Sequence, residues 1–242
     1  MNVYQLNKGL KVVELNEGLR YVNVDTTTIP GIHRAAKLRL VPSHLADVIV
    51  TPYFMDASKL LFNPGNKARM FTILRHPIDR AVSMFFYLQN ASWETTYDVS
   101  LKNMTLLEYA ESDKAEDNWM TRFLVNKPSG PMYTQDIILA REILRKKFLI
   151  GLLSYMDESI MRFERYFKWR TKKENIQQCV KQKWTNKHQH PKLEEGSPAW
   201  NALMAKNGYD MELYTYAHEL FDYQRQMFIL NEDENENEKD LQ

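Results

Sequence analysis

The sequence predicts an α/β protein in which helices cover a parallel sheet as a three-layer structure, and three observations predict it. Met70–Leu74 (MFTIL) and Phe148–Leu152 (FLIGL) are short, nearly continuous apolar runs, the pattern of strands buried on both faces. Behind Pro77 the period changes: Ile78, Val82, Phe85 and Phe86 make a helical stripe, with the proline at the first helical position where its missing N–H costs nothing. Runs of the two kinds alternate along the chain, as in a layered fold whose ligands sit at the carboxyl ends of the strands.

Element by element, Arg20–Val24 (RYVNV) is β-rich and runs into the turn-like Asp25–Thr28 and Pro30-Gly31, so a short strand meeting a loop is expected. Ile32–Leu40 follows as a helix. Asp47–Val50 (DVIV) is read as another buried strand, with Met55–Phe62 helical after it. Further helices are expected at Thr105–Ser112, Asn118–Val125, Gln135–Lys147, Tyr155–Trp169 and Tyr209–Leu230. These elements form one domain over residues 1–230. The tail from Asn231 to Gln242 (NEDENENEKDLQ) holds six acids and one Lys and is expected to be solvated and disordered.

Composition narrows the function. With 44% apolar and 26% charged residues, the chain is neither disordered throughout nor fibrous. Its 32 Lys and Arg against 31 Asp and Glu give no bulk attraction to nucleic acid or anionic membrane. Without the tail the balance is 31 bases to 25 acids, a mildly basic body suited to an anionic ligand. Cys179 is the sole cysteine, so no intrachain disulfide, Cys-x-x-Cys pair or thiolate zinc site can form, and it reads as a small helical residue. No apolar run reaches a membrane span, and MNVYQLNKGL lacks a signal-peptide core.

The chemistry concentrates after MFTIL. Arg75-His76-Pro77 leads into a helix carrying Arg80 and Ser83. A helix N-terminus offers unpaired N–H groups and partial positive charge, Arg75 adds a planar fork suited to phosphate, and Arg80 and Ser83 lie three apart on one helix face. The blander alternative is a surface Arg beside a helix start, with Ser83 facing a neighbouring backbone.

The stretch FTILRHPIDRAVSMFFYL, residues 71–88, resembles the 3′-phosphate-binding segment of sulfotransferases that use 3′-phosphoadenosine 5′-phosphosulfate (PAPS), the carbohydrate and heparan-sulfate type in particular. That pattern is R-x-P-x-x-R-x-x-S with an aromatic, here Arg75, Pro77, Arg80, Ser83 and Phe86 or Tyr87, with His76 where the family often has Asp. The resemblance implies that Arg75 and Ser83 hold the 3′-phosphate, with Arg80 beside them. Asp117–Arg122 with Phe123-Leu124, the run 148–167, and Asn207–Ala217 (N-x-x-D-x-x-L-Y-x-x-A) are similar to further family elements, so the likeness spans roughly residues 20–228. It implies a P-loop-like sulfotransferase fold, PAPS as sulfuryl donor with adenosine 3′,5′-bisphosphate as product, no metal, and a carbohydrate or other hydroxyl-bearing acceptor. For an intact relative it implies the Golgi lumen.

One family feature is missing. No P-K-x-G-x-T-like loop, which in the family cradles the 5′-phosphosulfate, lies before Arg75. Arg20–Val24 then corresponds to the second strand, and the opening strand and helix are expected before Met1, which would leave apolar surface exposed and favour self-association. The chain is accordingly either a shortened sulfotransferase or a non-catalytic domain that binds a nucleotide or glycan. A nucleotide kinase is disfavoured, because no G-x-x-x-x-G-K-[ST] loop occurs. For the base that takes the acceptor proton, Asp25 at the end of the second strand is the candidate, against a role capping a turn with Thr27 or Thr28. His33 and His44 are the alternatives. In the basic run 181–192, Lys187 and His188 are candidates for phosphate contact and Trp184 for covering adenine, unless the run is a solvated loop. His188-x-His190 has no third ligand nearby in sequence.

Overall fold

The structure, a computed structural model, describes residues 9–14, 20–94, 97–169 and 191–239, the side chains only as far as Phe228. It is a mixed α/β protein with a small parallel sheet, and no closed barrel occurs among the described residues. The chain divides into two compact units, Met1–Arg69 with Arg122–Pro131, and Met70–Thr121 with Met132–Gln242.

In the first unit β1 (Val12–Glu14) pairs antiparallel with β2 (Arg20–Val22), Val13 opposite Tyr21. Asn23, fully buried, closes the strand end: its Oδ1 accepts from Lys11 N at 2.7 Å and its Nδ2 donates to the Gly9 carbonyl. The expected strand at Arg20 is therefore present, but as half of a hairpin rather than as a member of the parallel sheet. Thr28 then caps α1 (Ile29–Lys37), its hydroxyl accepting from Gly31 N. Gly31 is required here, because a Cβ would lie 1.6 Å from the Asp25 carbonyl oxygen. Ile32 and Ala35 on α1 pack against Ala57 and Leu61 on α2 (Phe54–Leu61). The strand expected at Asp47–Val50 does not form. Val50 is 70% exposed and Val48 43%, and only Ile49 joins the core. An apolar run becomes a buried strand only with a neighbouring strand to take its backbone bonds, and here just the Val50 carbonyl is engaged, by the Thr26 hydroxyl.

In the second unit β3 (Met70–Leu74) and β4 (Phe148–Leu152) pair in parallel, Met70 opposite Phe148 and Leu74 opposite Leu152, with the bounds expected from the sequence. β3 leads into α3 (Pro77–Leu88), then α4 (Leu106–Glu111), α5 (Trp119–Leu124), of which the residues from Arg122 onward count with the first unit, and α6 (Thr134–Lys147), which delivers the chain to β4. α7 (Met156–Phe167), α8 (Pro198–Lys206) and α9 (Gly208–Lys239) complete the fold. The backbone of α9 is helical through Lys239, past the point where a disordered tail was expected.

Apolar clusters hold this unit together. Ile78, Val82 and Phe85 of α3 meet Leu101, Tyr109 and Leu203, and Leu149 of β4 meets Phe163 and Phe228 with Phe71 against them. The edge of β4 away from β3 is closed by a side chain. Gln224 of α9 accepts from Ile150 N at 2.9 Å and donates to the Phe148 carbonyl at 2.9 Å, as a paired strand residue would. At the carboxyl end of β4, buried Ser159 accepts from Leu152 N and donates to the Tyr155 carbonyl, turning the strand into α7.

Candidate functional site

The candidate site lies where β3 ends and α3 begins, at the carboxyl end of the parallel pair. Pro77 starts the helix and His76 is its N-cap, without a side-chain cap bond. The first-turn N–H groups are thus left for another acceptor. Arg75 is half-buried, and among the described residues no carboxylate or hydrogen-bond acceptor engages its guanidinium. Ser83, two turns along α3 and half-buried, likewise has no hydrogen bond from its hydroxyl within this set. An unengaged guanidinium beside a helix N-terminus, with an unengaged hydroxyl two turns along the same helix, is polar equipment suited to an anion.

Arg80, expected beside them, is committed elsewhere. Its guanidinium makes a two-point pair with Glu116, at 3.0 and 2.7 Å, and lies over the Trp119 ring at 4.5 Å. Burial pushes the Glu116 carboxyl above its ordinary value, and Arg80 pulls it back. The same burial, with Glu116 nearby, raises the Tyr109 hydroxyl to about 12. His76 is sandwiched: its ring stacks on Trp200 at 5.6 Å and meets Tyr214 edge-on at 5.5 Å, with Nδ1 buried and lacking a partner. From Tyr214 the rings continue to His218 at 4.7 Å and Tyr155 at 6.0 Å, along the carboxyl ends of both strands. Phe85 and Phe86 meet edge-on, and Phe85 stacks on Tyr109, so this aromatic stripe is core.

The two motifs about ninety residues apart meet in a reciprocal cap. Asp210 of α9, fully buried, accepts from Met120 N at 2.9 Å, Thr121 N at 2.8 Å and the Thr121 hydroxyl at 2.7 Å, capping α5. Asn118, just before α5 and at φ 48°, accepts from Tyr209 N and Asp210 N, capping α9. Asn207 completes the knot, accepting from Asn118 N and donating to the Glu116 carbonyl. Burial pushes the Asp210 carboxyl upward against the donors that pull it down. The Asn and Asp of these motifs thus brace the helices. Sequence reading found the residues but not the pairing, which links positions far apart in the chain. It also missed α8, although Ser197-Pro198 carries the signal of a cap followed by a first-turn proline.

Asp25 belongs to the first unit, where its Oδ1 accepts from Thr27 N at 3.0 Å and from the Thr27 hydroxyl at 2.6 Å, the turn-capping arrangement. His33 is exposed on α1, and His44 is exposed at φ 54°. Cys179, Trp184, Lys187, His188 and His190 lie outside the described residues. Among the described residues no three His, Cys, Asp or Glu side chains gather as a metal site, and no helix is long and apolar enough to cross a membrane. Comparisons with protein-family models, with curated proteins and with solved structures gave no match to this chain.

Proposed function

We propose that the second unit is the 3′-phosphate-binding part of a PAPS-dependent sulfotransferase with the P-loop-like architecture of that family, and that the protein transfers a sulfuryl group from PAPS to a hydroxyl of a carbohydrate or related acceptor. The observation that carries the reading is Arg75, half-buried with no partner among the described residues at the start of α3. Leaving such a fork without an anion forgoes charge-assisted bonds it is shaped to make. Ser83, also unengaged, is the second group for the phosphate. Trp200 and Tyr214 pack against the His76 ring and so keep the helix start in place. In an in-line transfer these residues bind and orient the donor, while charge on the departing phosphate requires a further cradle. The mildly basic body, 31 bases to 25 acids over residues 1–230, also suits a second reading, a nucleotide- or glycan-binding domain without catalysis.

Calorimetric titration with adenosine 3′,5′-bisphosphate tests the reading. Arg75→Ala is expected to weaken binding roughly 10- to 100-fold, the worth of a lost charge-assisted contact, and Ser83→Ala less. Adenosine 5′-phosphate, which lacks the 3′ group, is expected to bind the two proteins alike. Folded wild-type protein that ignores the bisphosphate overturns the proposal. Binding without transfer from PAPS to any hydroxyl acceptor selects the non-catalytic reading.

A further inference from the structure

We infer that Asn90 and Asn103 are acceptors for N-linked oligosaccharide, both placed on the edge of the second unit remote from the candidate anion site. Two tripeptides carry the required pattern, Asn90-Ala91-Ser92 and Asn103-Met104-Thr105, each with a hydroxyl residue two positions on and no proline between. Both asparagines are exposed, at the end of α3 and just before α4. By contrast the buried Asn23, Asn118 and Asn207 are spent on internal bonds, and Asp25, Met120 and Tyr209 stand where each would need Ser or Thr.

Local bonding is compatible with the product. The Asn103 side chain makes no hydrogen bond among the described residues. Asn90 donates from Nδ2 to the Phe86 carbonyl at 3.3 Å, and a glycosylated amide nitrogen keeps one proton for that bond. Thr105 caps α4 in a reciprocal pair with Glu108, a role that begins only once the chain folds, after a nascent chain has met the transferase. Gln89 ties the two positions together: its Nε2 donates to the Leu101 carbonyl at 3.0 Å and the Met104 carbonyl at 3.4 Å. Both sugars therefore leave from one edge, at the carboxyl end of α3. Arg75 and His76 are at the other end of that helix, about 18 Å away along a 12-residue rise, so the glycans stand clear of it.

The reaction draws on an oligosaccharide linked to a lipid pyrophosphate and on the cell's transferase. The asparagine amide nitrogen bonds to C1 of the first sugar as the C1–O bond to the pyrophosphate breaks. The lipid pyrophosphate leaves with the electron pair, and the nitrogen gives one proton to the transferase. The inference rests on passage through the secretory lumen, which the family resemblance implies for an intact relative, and not on sulfuryl transfer itself.

The test uses the full protein purified from the cells that make it. After treatment with peptide N-glycosidase in heavy-oxygen water, peptide mass spectrometry is expected to find labelled aspartate at positions 90 and 103. Asn90→Gln and Asn103→Gln are each expected to remove one step of gel mobility, with binding of adenosine 3′,5′-bisphosphate unchanged from wild type. Unmodified asparagine at both positions overturns the inference, and unmodified asparagine at one overturns that site. The bisphosphate titration stands apart, so failure of either proposal is told from failure of the other.

Discussion

Asp210 illustrates how much one side chain can carry. It accepts three hydrogen bonds, two from the N-terminal N–H groups of α5, in a site from which solvent is excluded. Asp210→Ala removes a cap and leaves buried donors unpaired, so a loss of about 3 kcal/mol or more is expected in urea unfolding. Asn118→Ala removes the matching cap on α9 and places alanine at φ 48°, where only Asn, Asp and Gly sit readily. The two caps share one network, so the double variant is expected to cost less than the two single losses together. Strict additivity would mean that the helices are braced independently. The two motifs were visible in the sequence as candidates, and Arg75 and Ser83 were found by the strand-to-helix transition they flank. Their bonding was not visible, because it is set by which helix starts face each other across about ninety positions.

Elements were readable in proportion to how local their cause is. MFTIL and FLIGL gave both parallel strands with their bounds, since a short apolar run flanked by helical periods has few other solutions. DVIV is a comparably short apolar run, yet Val48 and Val50 remain exposed, because a strand needs a partner and no local pattern supplies one. RYV does form a strand, paired by the unforeseen Val12–Glu14. The free edge of β4 shows a helix supplying what a strand would. Gln224 of α9 bonds both Ile150 N and the Phe148 carbonyl. Gln224→Leu keeps the volume but leaves a buried N–H and a neighbouring carbonyl facing a hydrocarbon, and about 2–4 kcal/mol is expected to be lost. Amide exchange at Ile150 reports the same bond locally and is expected to accelerate more than exchange at Leu149. Equal protection of the two would mean that β4 is held by β3 alone.

At the scale of the whole molecule, charge placement sets the response to pH. Burial holds the Glu116 and Asp210 carboxyls above their ordinary values. A group whose folded pKa is raised stabilises the fold fully below its unfolded pKa, near 4, and loses that contribution as pH rises through the folded value. Carboxylates with hydrogen-bonding partners behave oppositely. Asp98, bonded to Lys114 and Ser100, and Glu142, between Arg145 and Lys146, are each held at about 2, and Arg225 with Arg162 lowers Glu158. Their contribution is present above pH 4 and lost as pH falls toward 2. Both sets contribute together just above pH 4, and the contribution of the buried pair declines as pH rises through its folded values. The melting temperature is therefore expected to rise as pH is lowered from 7.5 to 5, and to fall below about 4. Glu116→Gln removes one raised carboxyl while keeping its shape, so the rise between pH 7.5 and 5 is expected to flatten in that variant. A wild-type melting temperature that declines steadily from pH 7.5 to 5 would show that the donors around Asp210 and the Arg80 guanidinium outweigh burial, leaving both carboxyls ionised throughout.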